Sequence, residues 1–211
     1  MSTYIVAITG ASGAVYAKGF LQELLALGHC VELVLSPTGE QILELELGFS
    51  PQGTVAEKQN QWVEFLGQGE KSLHLLDHGD LAAGISSGSF PTSGMIVIPC
   101  SMGTLGRIAT GVSTNLIERA ADVTLKERRP LILVTRETPL SLIHLRNMAA
   151  VTEAGAVVMP PMPSFYHHPA TIDDLVTAFV GRVLDRLGIP NRLTPRWTES
   201  SQQIQTESLK E

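Results

Sequence analysis

The chain has 211 residues, enough for one large α/β domain with a full core, and nothing in its composition marks a split into two. Fifteen Lys and Arg against 21 Asp and Glu leave a net charge of -6, which speaks against a broad surface for nucleic acid while leaving room for a local phosphate pocket. No stretch approaches the ~20 apolar residues of a membrane span, and Thr9-Gly10 cuts the first apolar run before it can serve as a secretory core, so a soluble, cytoplasmic protein is expected.

In chain order, Ile5-Val6-Ala7-Ile8 stops at Thr9-Gly10-Ala11-Ser12-Gly13. An apolar run without polar alternation suits a strand buried on both faces, here about 4–9. A helix over about 14–27 carries Phe20, Leu21, Leu24, Leu25 and Leu27 on one stripe and stops at Gly28. Val31 to Leu35 reads as a second strand ending at Ser36-Pro37, and 39–47 as a helix bearing Glu40, Glu44 and Glu46. Residues 48–72, rich in Gln and Gly around an isolated Trp62, fit neither period and receive no element. Short apolar pieces at 73–76 precede Ser86-Ser87-Gly88-Ser89-Phe90-Pro91, a loop of turn formers. Ile96-Val97-Ile98 then runs into Pro99-Cys100-Ser101-Met102-Gly103-Thr104. Residues 113–127 are helical by composition, Pro130 follows, and a strand at 131–135 meets Arg136-Glu137-Thr138-Pro139. Helix 141–153, strand 156–159, a Pro-rich loop at 160–169 and helix 171–187 complete a single domain over 1–197, leaving a polar tail at 198–211. The succession implies a three-layer, Rossmann-like (flavodoxin-like) parallel sheet with helices on both faces. Cys30 and Cys100 each close an apolar run and are expected as reduced thiols.

In such a sheet, ligands bind beyond the carboxyl ends of the strands, so the loops after 8, 98 and 135 are expected to edge one site. The Gly-x-Ser-Gly turn allows close backbone approach to an anion, with the amides of the next helix pointing at it. The same residues serve a plain turn and cap equally well, as do Ser101 to Thr104. A third fingerprint glycine is missing and Ser36 stands where a dinucleotide site wants a carboxylate, which disfavours a nicotinamide dinucleotide. No Gly-Lys-Ser/Thr follows, which excludes a Walker loop. Arg136-Glu137 offers a guanidinium beside a proton carrier, or only an exposed pair. Arg119 and Lys126, seven apart, leave nearly the same helix face and can grip a phosphate. The competing account pairs Asp122 with Lys126 and sets Arg128 and Arg129 against the helix C-terminus. Adjacent His167 and His168 point to opposite sides and make a poor chelating pair, and no metal is expected.

Taken together, Gly10-Ala11-Ser12-Gly13, Ser86-Ser87-Gly88-Ser89, Pro99-Cys100-Ser101, Glu118-Arg119-Ala120-Ala121-Asp122, Leu125-Lys126-Glu127-Arg128-Arg129-Pro130-Leu131, Arg136-Glu137-Thr138-Pro139 and Phe165-Tyr166-His167 resemble the UbiX-like flavin prenyltransferases. The likeness spans nearly the whole chain and extends to Arg182 and Pro195-Arg196-Trp197. It implies metal-independent transfer of a dimethylallyl group from dimethylallyl monophosphate to N5 and C6 of reduced FMN. The product would be the prenylated FMN used by UbiD-type decarboxylases, in ubiquinone synthesis or aromatic acid breakdown. By this resemblance Gly10, Ala11, Ser12, Ser36, Ser101, Met102, Gly103, Thr104 and Arg136 hold FMN. Ser87, Arg119, Lys126, Tyr166 and Arg182 surround the prenyl phosphate, and Ser12, Glu46 and Glu137 stand beside the reacting centres as catalytic residues. The family likeness also implies a homo-oligomer, a dodecamer, with sites completed by neighbouring subunits. Two alternatives are an FMN-dependent decarboxylase of the cysteine-peptide type and a non-catalytic flavin-binding protein. The first needs a Pro-x-Met-Asn-x-x-Met-Trp segment, which Pro161-Met162-Pro163-Ser164-Phe165-Tyr166 does not supply. The second has no use for Arg119, Lys126, Glu137 and Tyr166 together.

Overall fold

The computed structural model describes residues 1–193; Pro195-Arg196-Trp197 and the expected tail at 198–211 lie outside them. The chain divides into two compact units after Pro161. The first holds six strands: β1 (Thr3–Ile8), β2 (Cys30–Leu35), β3 (Leu73–Leu76), β4 (Met95–Cys100), β5 (Leu131–Thr135) and β6 (Val157–Val158). Its helices are α1 (Ala14–Ala26), α2 (Pro37–Leu47), α3 (Val55–Leu66), α4 (Met102–Ala109), α5 (Leu116–Lys126) and α6 (Leu142–Glu153). All strands pair in parallel, in the order β3-β2-β1-β4-β5-β6. The chain leaves the β1/β4 junction outward in both directions, so right-handed crossovers put the helices of the two halves on opposite faces and open a crevice where the order reverses.

Burial on both faces explains the unbroken apolar runs. Ile5, Ala7, Met95, Val97, Leu131 and Leu133 share one core with the buried stripes of α4, α5 and α6. The alternate residues Val6, Ile8, Ile96, Ile98, Ile132 and Val134 are equally buried and project to the other side. Helix α1, with Phe20, Leu21 and Leu24 fully buried, packs over β1, β2 and β4.

Several expectations shift. The stretch 48–72 contains α3, opened by a capping box in which Thr54 and Glu57 satisfy each other's backbone amides, and closed by Gly67 at φ 72. It buries only Trp62 and Leu66, too few for a visible stripe, and Trp62 anchors it edge-on to Phe49 at 4.8 Å. Helix α2 begins at Pro37, with Ser36 as its cap, two residues before the expected start. Asn115 caps α5, so the helix expected from 113 starts later, and β6 is a two-residue pairing. Cys30 opens β2 instead of closing a run, because the apolar partners lie after it. Both thiols are free, and burial pushes that of Cys100 up to about 12, leaving it a small inert hydrophobe.

The second unit carries α7 (Ile172–Arg186), whose cap Thr171 and Asp174 form another capping box. Among the described residues, no helix is long and apolar enough to cross a membrane.

Candidate functional site

At the β1/β4 reversal a single hydroxyl joins two loops. Thr9 is buried; its Oγ1 donates to the Pro99 carbonyl at 2.9 Å and accepts the Ser101 amide at 2.8 Å. The loops that carry Gly10 to Ser12 and Ser101 to Thr104 are therefore one rigid rim. Sequence reasoning does not single out Thr9 as a site residue, since its partners stand 90 and 92 positions away. Gly10 lets that rim touch α2: a Cβ there would lie 2.5 Å from Thr38 Oγ1. Beside it, Ser36 Oγ accepts the Gly39 amide at 3.0 Å and lies 3.2 Å from Thr38 Oγ1. Gly10, Ala11, Ser12 and Ser36 are thus gathered at one sheet end.

The amides expected to face a bound anion at the start of α1 are already taken. Gly13, at φ 122, has no side chain to cap the helix, and its amide and that of Ala14 donate to Glu46 Oε2 at 2.9 and 2.8 Å. Glu46 reaches them from the last turn of α2, so the anion at this helix end is the protein's own carboxylate. Partial burial pushes the Glu46 carboxyl up, but the Ser12 hydroxyl, the Gly13 and Ala14 amides and the Arg136 charge outweigh it and hold it below the usual carboxylate range. A bound phosphate would face repulsion there.

Helix α4 starts on the same rim. Ser101 caps it, accepting the Thr104 amide at 3.2 Å and donating to Thr104 Oγ1 at 3.0 Å, with Met102 and Thr104 buried and Gly103 exposed. One turn on, Arg107 bonds the buried Glu118, whose other oxygen accepts the Thr114 amide and hydroxyl at 2.9 and 2.7 Å. Burial raises the Glu118 carboxyl, and the Thr114 groups with the Arg107 guanidinium bring it below the usual range, so the pair stays ionised. From the end of β5, Arg136 Nε donates to the Ser12 carbonyl at 3.3 Å, tying the third loop to the first. Glu137 is exposed next to it and accepts the Thr138 amide at 3.0 Å.

Ser87, Arg119 and Lys126 lie along α5 and the loop beside it. Arg119 Nε donates to the Ser86 carbonyl at 3.1 Å and its Nη1 pairs with Asp122 at 2.7 Å, while Lys126 Nζ pairs with Glu127 at 2.5 Å. The competing Asp122–Lys126 pair is not formed, because Asp122 is committed to Arg119, one turn behind it, and Lys126 to Glu127. Arg129 does not serve the helix C-terminus either; its guanidinium binds the 86–92 loop. That loop leads into the first residue of β4 and the last turn of α5 leads toward β5, so Gly88 to Thr92, Lys126 and Arg129 flank the amino ends of the strands. Arg119 lies instead in the first turn of α5, whose Leu116 amide bonds the His78 carbonyl just beyond the carboxyl end of β3. The flavin-type loops lie at the carboxyl ends. Six-residue β4 separates the two rims by roughly 16 Å.

In the second unit, Tyr166 is exposed with its ring edge-on to His167 at 5.3 Å, and Arg182 Nη1 lies 3.4 Å from Asp185 Oδ2. Among the described residues, no three His, Cys, Asp or Glu side chains converge as metal ligands would.

A parallel sheet whose order reverses between two small-residue loops defines a nucleotide-type α/β binding protein, and the family model described as Flavoprotein matches residues 2–184. The flavin prenyltransferase UbiX of Halalkalibacterium halodurans is 47% identical over 199 residues, covering 93% of each chain. The crystal structure of AnUbiX (PadA1) in complex with FMN and dimethylallyl pyrophosphate superposes with a TM-score of 0.83 at 42% identity, covering 93% of this chain and 97% of that one. A dodecameric FMN-dependent UbiX-like decarboxylase from Escherichia coli O157:H7 gives 0.81 at 43%, covering 92% and 98%. The chain belongs to the Flavoprotein family and, within it, to the UbiX flavin prenyltransferases.

Proposed function

We propose that this protein joins the dimethylallyl group of dimethylallyl monophosphate to N5 and C6 of reduced FMN, in the cytoplasm, and that its prenylated FMN goes to a UbiD-type decarboxylase. The observation that carries the reading is the convergence of three loops at the sheet reversal, where Thr9 fixes two and Arg136 draws in the third. FMN suits this rim. Ser12, Ser36 and Ser101 line it with hydroxyls, Gly10 and Gly103 leave the backbone open, and Arg136 supplies one positive charge.

A phosphate monoester leaves poorly, so the charge developing on it must be met by oriented donors. Arg119, Lys126, Tyr166 and Arg182, with Ser87, are assigned to that task. Glu137 is assigned to protonate the departing phosphate. Glu46, held ionised and coupled to Ser12, suits a proton acceptor near N5 better than a donor.

Because Ser87 and Lys126 flank the opposite end of the sheet from the flavin rim, these two groups reach the phosphate from a neighbouring copy in a homo-oligomer. The dodecameric relative supports this arrangement. Anaerobic incubation with reduced FMN and dimethylallyl monophosphate should increase the mass of the released flavin by one five-carbon unit; flavin of unchanged mass would overturn the proposal. Glu137→Gln should stall turnover while FMN titrates normally, and normal product formation by that variant would remove Glu137 from its role.

A further inference from the structure

The segment that carries Ser87 has no regular ladder to hold it. It leaves a 3₁₀ turn at Gly84–Ser86 and descends along α5 to β4, closed on itself by the Phe90 amide donating to the Ser87 carbonyl at 3.2 Å and by a Ser87–Ser89 hydroxyl contact at 2.9 Å. Two guanidiniums pin it from outside: Arg119 holds the Ser86 carbonyl at its start, and Arg129 holds the stretch after Ser87. Arg129 Nη2 donates to the Gly88 carbonyl at 2.7 Å, and Nη1 donates to the Phe90 carbonyl at 2.9 Å and Thr92 Oγ1 at 3.1 Å. A planar guanidinium can serve three acceptors in one fixed fork, which an ammonium on a flexible stem cannot do.

The backbone before it is arranged to aim that fork. After α5 the Arg129 amide returns to the Thr124 carbonyl and the Arg128 amide to Leu125, the paired bonds of a Schellman closure, with Arg128 in the left-handed region at φ 57. A non-glycine residue there is uncommon, and the turn it makes sends Arg129 back against the loop. The loop then lies flush with the end of α5. A Cβ on Gly88 would stand 2.8 Å from Lys126 Nζ and collide with the Glu127 carboxylate.

We infer that Arg129 is a positioning residue for the prenyl-phosphate site: it touches neither substrate nor flavin, and it sets Ser87 in register with Lys126 and Arg119. This rests on the assignment of those three groups to the phosphate. A misplacement of about 1 Å at a donor far from the reacting bond costs up to ~100-fold.

The test compares Arg129→Lys with Ser87→Ala in the full-length protein, reading KM for dimethylallyl monophosphate, FMN affinity, and hydrogen exchange at the amides of 87–90. For Arg129→Lys, KM should rise roughly tenfold or more, loop exchange should accelerate, and FMN affinity should hold. Unchanged KM together with unchanged loop exchange would overturn the inference. Faster exchange at unaltered KM, where Ser87→Ala raises KM, would reduce Arg129 to a purely structural role. If Ser87→Ala itself leaves KM unchanged, the phosphate assignment fails, and the inference built on it fails too, whatever the loop does. Should Arg129→Lys not be recovered folded, Thr92→Val, which removes one acceptor of the fork, takes its place with the same readouts and a smaller expected rise.

Discussion

Glu46 closes the positive end of α1 and is also the carboxylate best placed to exchange a proton with Ser12. Its folded-state pKa is depressed, so its contribution to stability is fully present above the ordinary carboxylate value of 4.5 and is lost as pH falls through the lowered one. Glu46→Gln should destabilise the protein at neutral pH by about 0.5–1 kcal/mol, toward the low end because solvent screens an exposed group. The denaturation midpoints of the two proteins should converge in acid. A constant offset between them at every pH would show that the charge is not what holds the cap.

At the scale of elements, the turn after α5 makes a prediction of its own. Arg128→Gly removes the Cβ penalty of a left-handed residue and should raise stability by about 0.5–1 kcal/mol in urea titration, less the entropy that glycine adds to the unfolded chain. A loss would mean that the Arg128 side chain makes a contact worth more than the relief. Elements were legible in the sequence where their cause is local. Strands β1, β2, β4 and β5 announce themselves because both faces are covered, and α1 because it buries a full stripe. Helix α3 does not, since two buried residues give no period; its written signals are the Thr54-x-x-Glu57 box and Gly67. The site divides in the same way. Its glycine and serine loops can be read from adjacent residues, and the family likeness supplies their roles. The Thr9 bridge, the Glu46 cap and the Arg129 fork join residues 32 to 92 positions apart, and no local spacing encodes them.

For the molecule as a whole, the two rims of the sheet are the governing fact. If Ser87 and Lys126 come from a neighbouring copy, two inactive variants should rescue each other: Lys126→Ala keeps a sound carboxyl rim, and Glu137→Gln keeps a sound amino rim. Co-assembled at equal amounts, they should regain about a quarter of the sites, because random mixing pairs the two sound rims that often. Zero recovery in verified mixed assemblies would place both groups of one site on a single chain. The same separation also reaches into how the enzyme behaves when scarce. A solitary copy would own an acceptor berth at one pole and anion tongs at the other, with the length of a strand between them. Diluted past the point of dissociation, such copies would keep their flavin and fall silent together, so activity per milligram would drop with concentration before any unfolding could be detected.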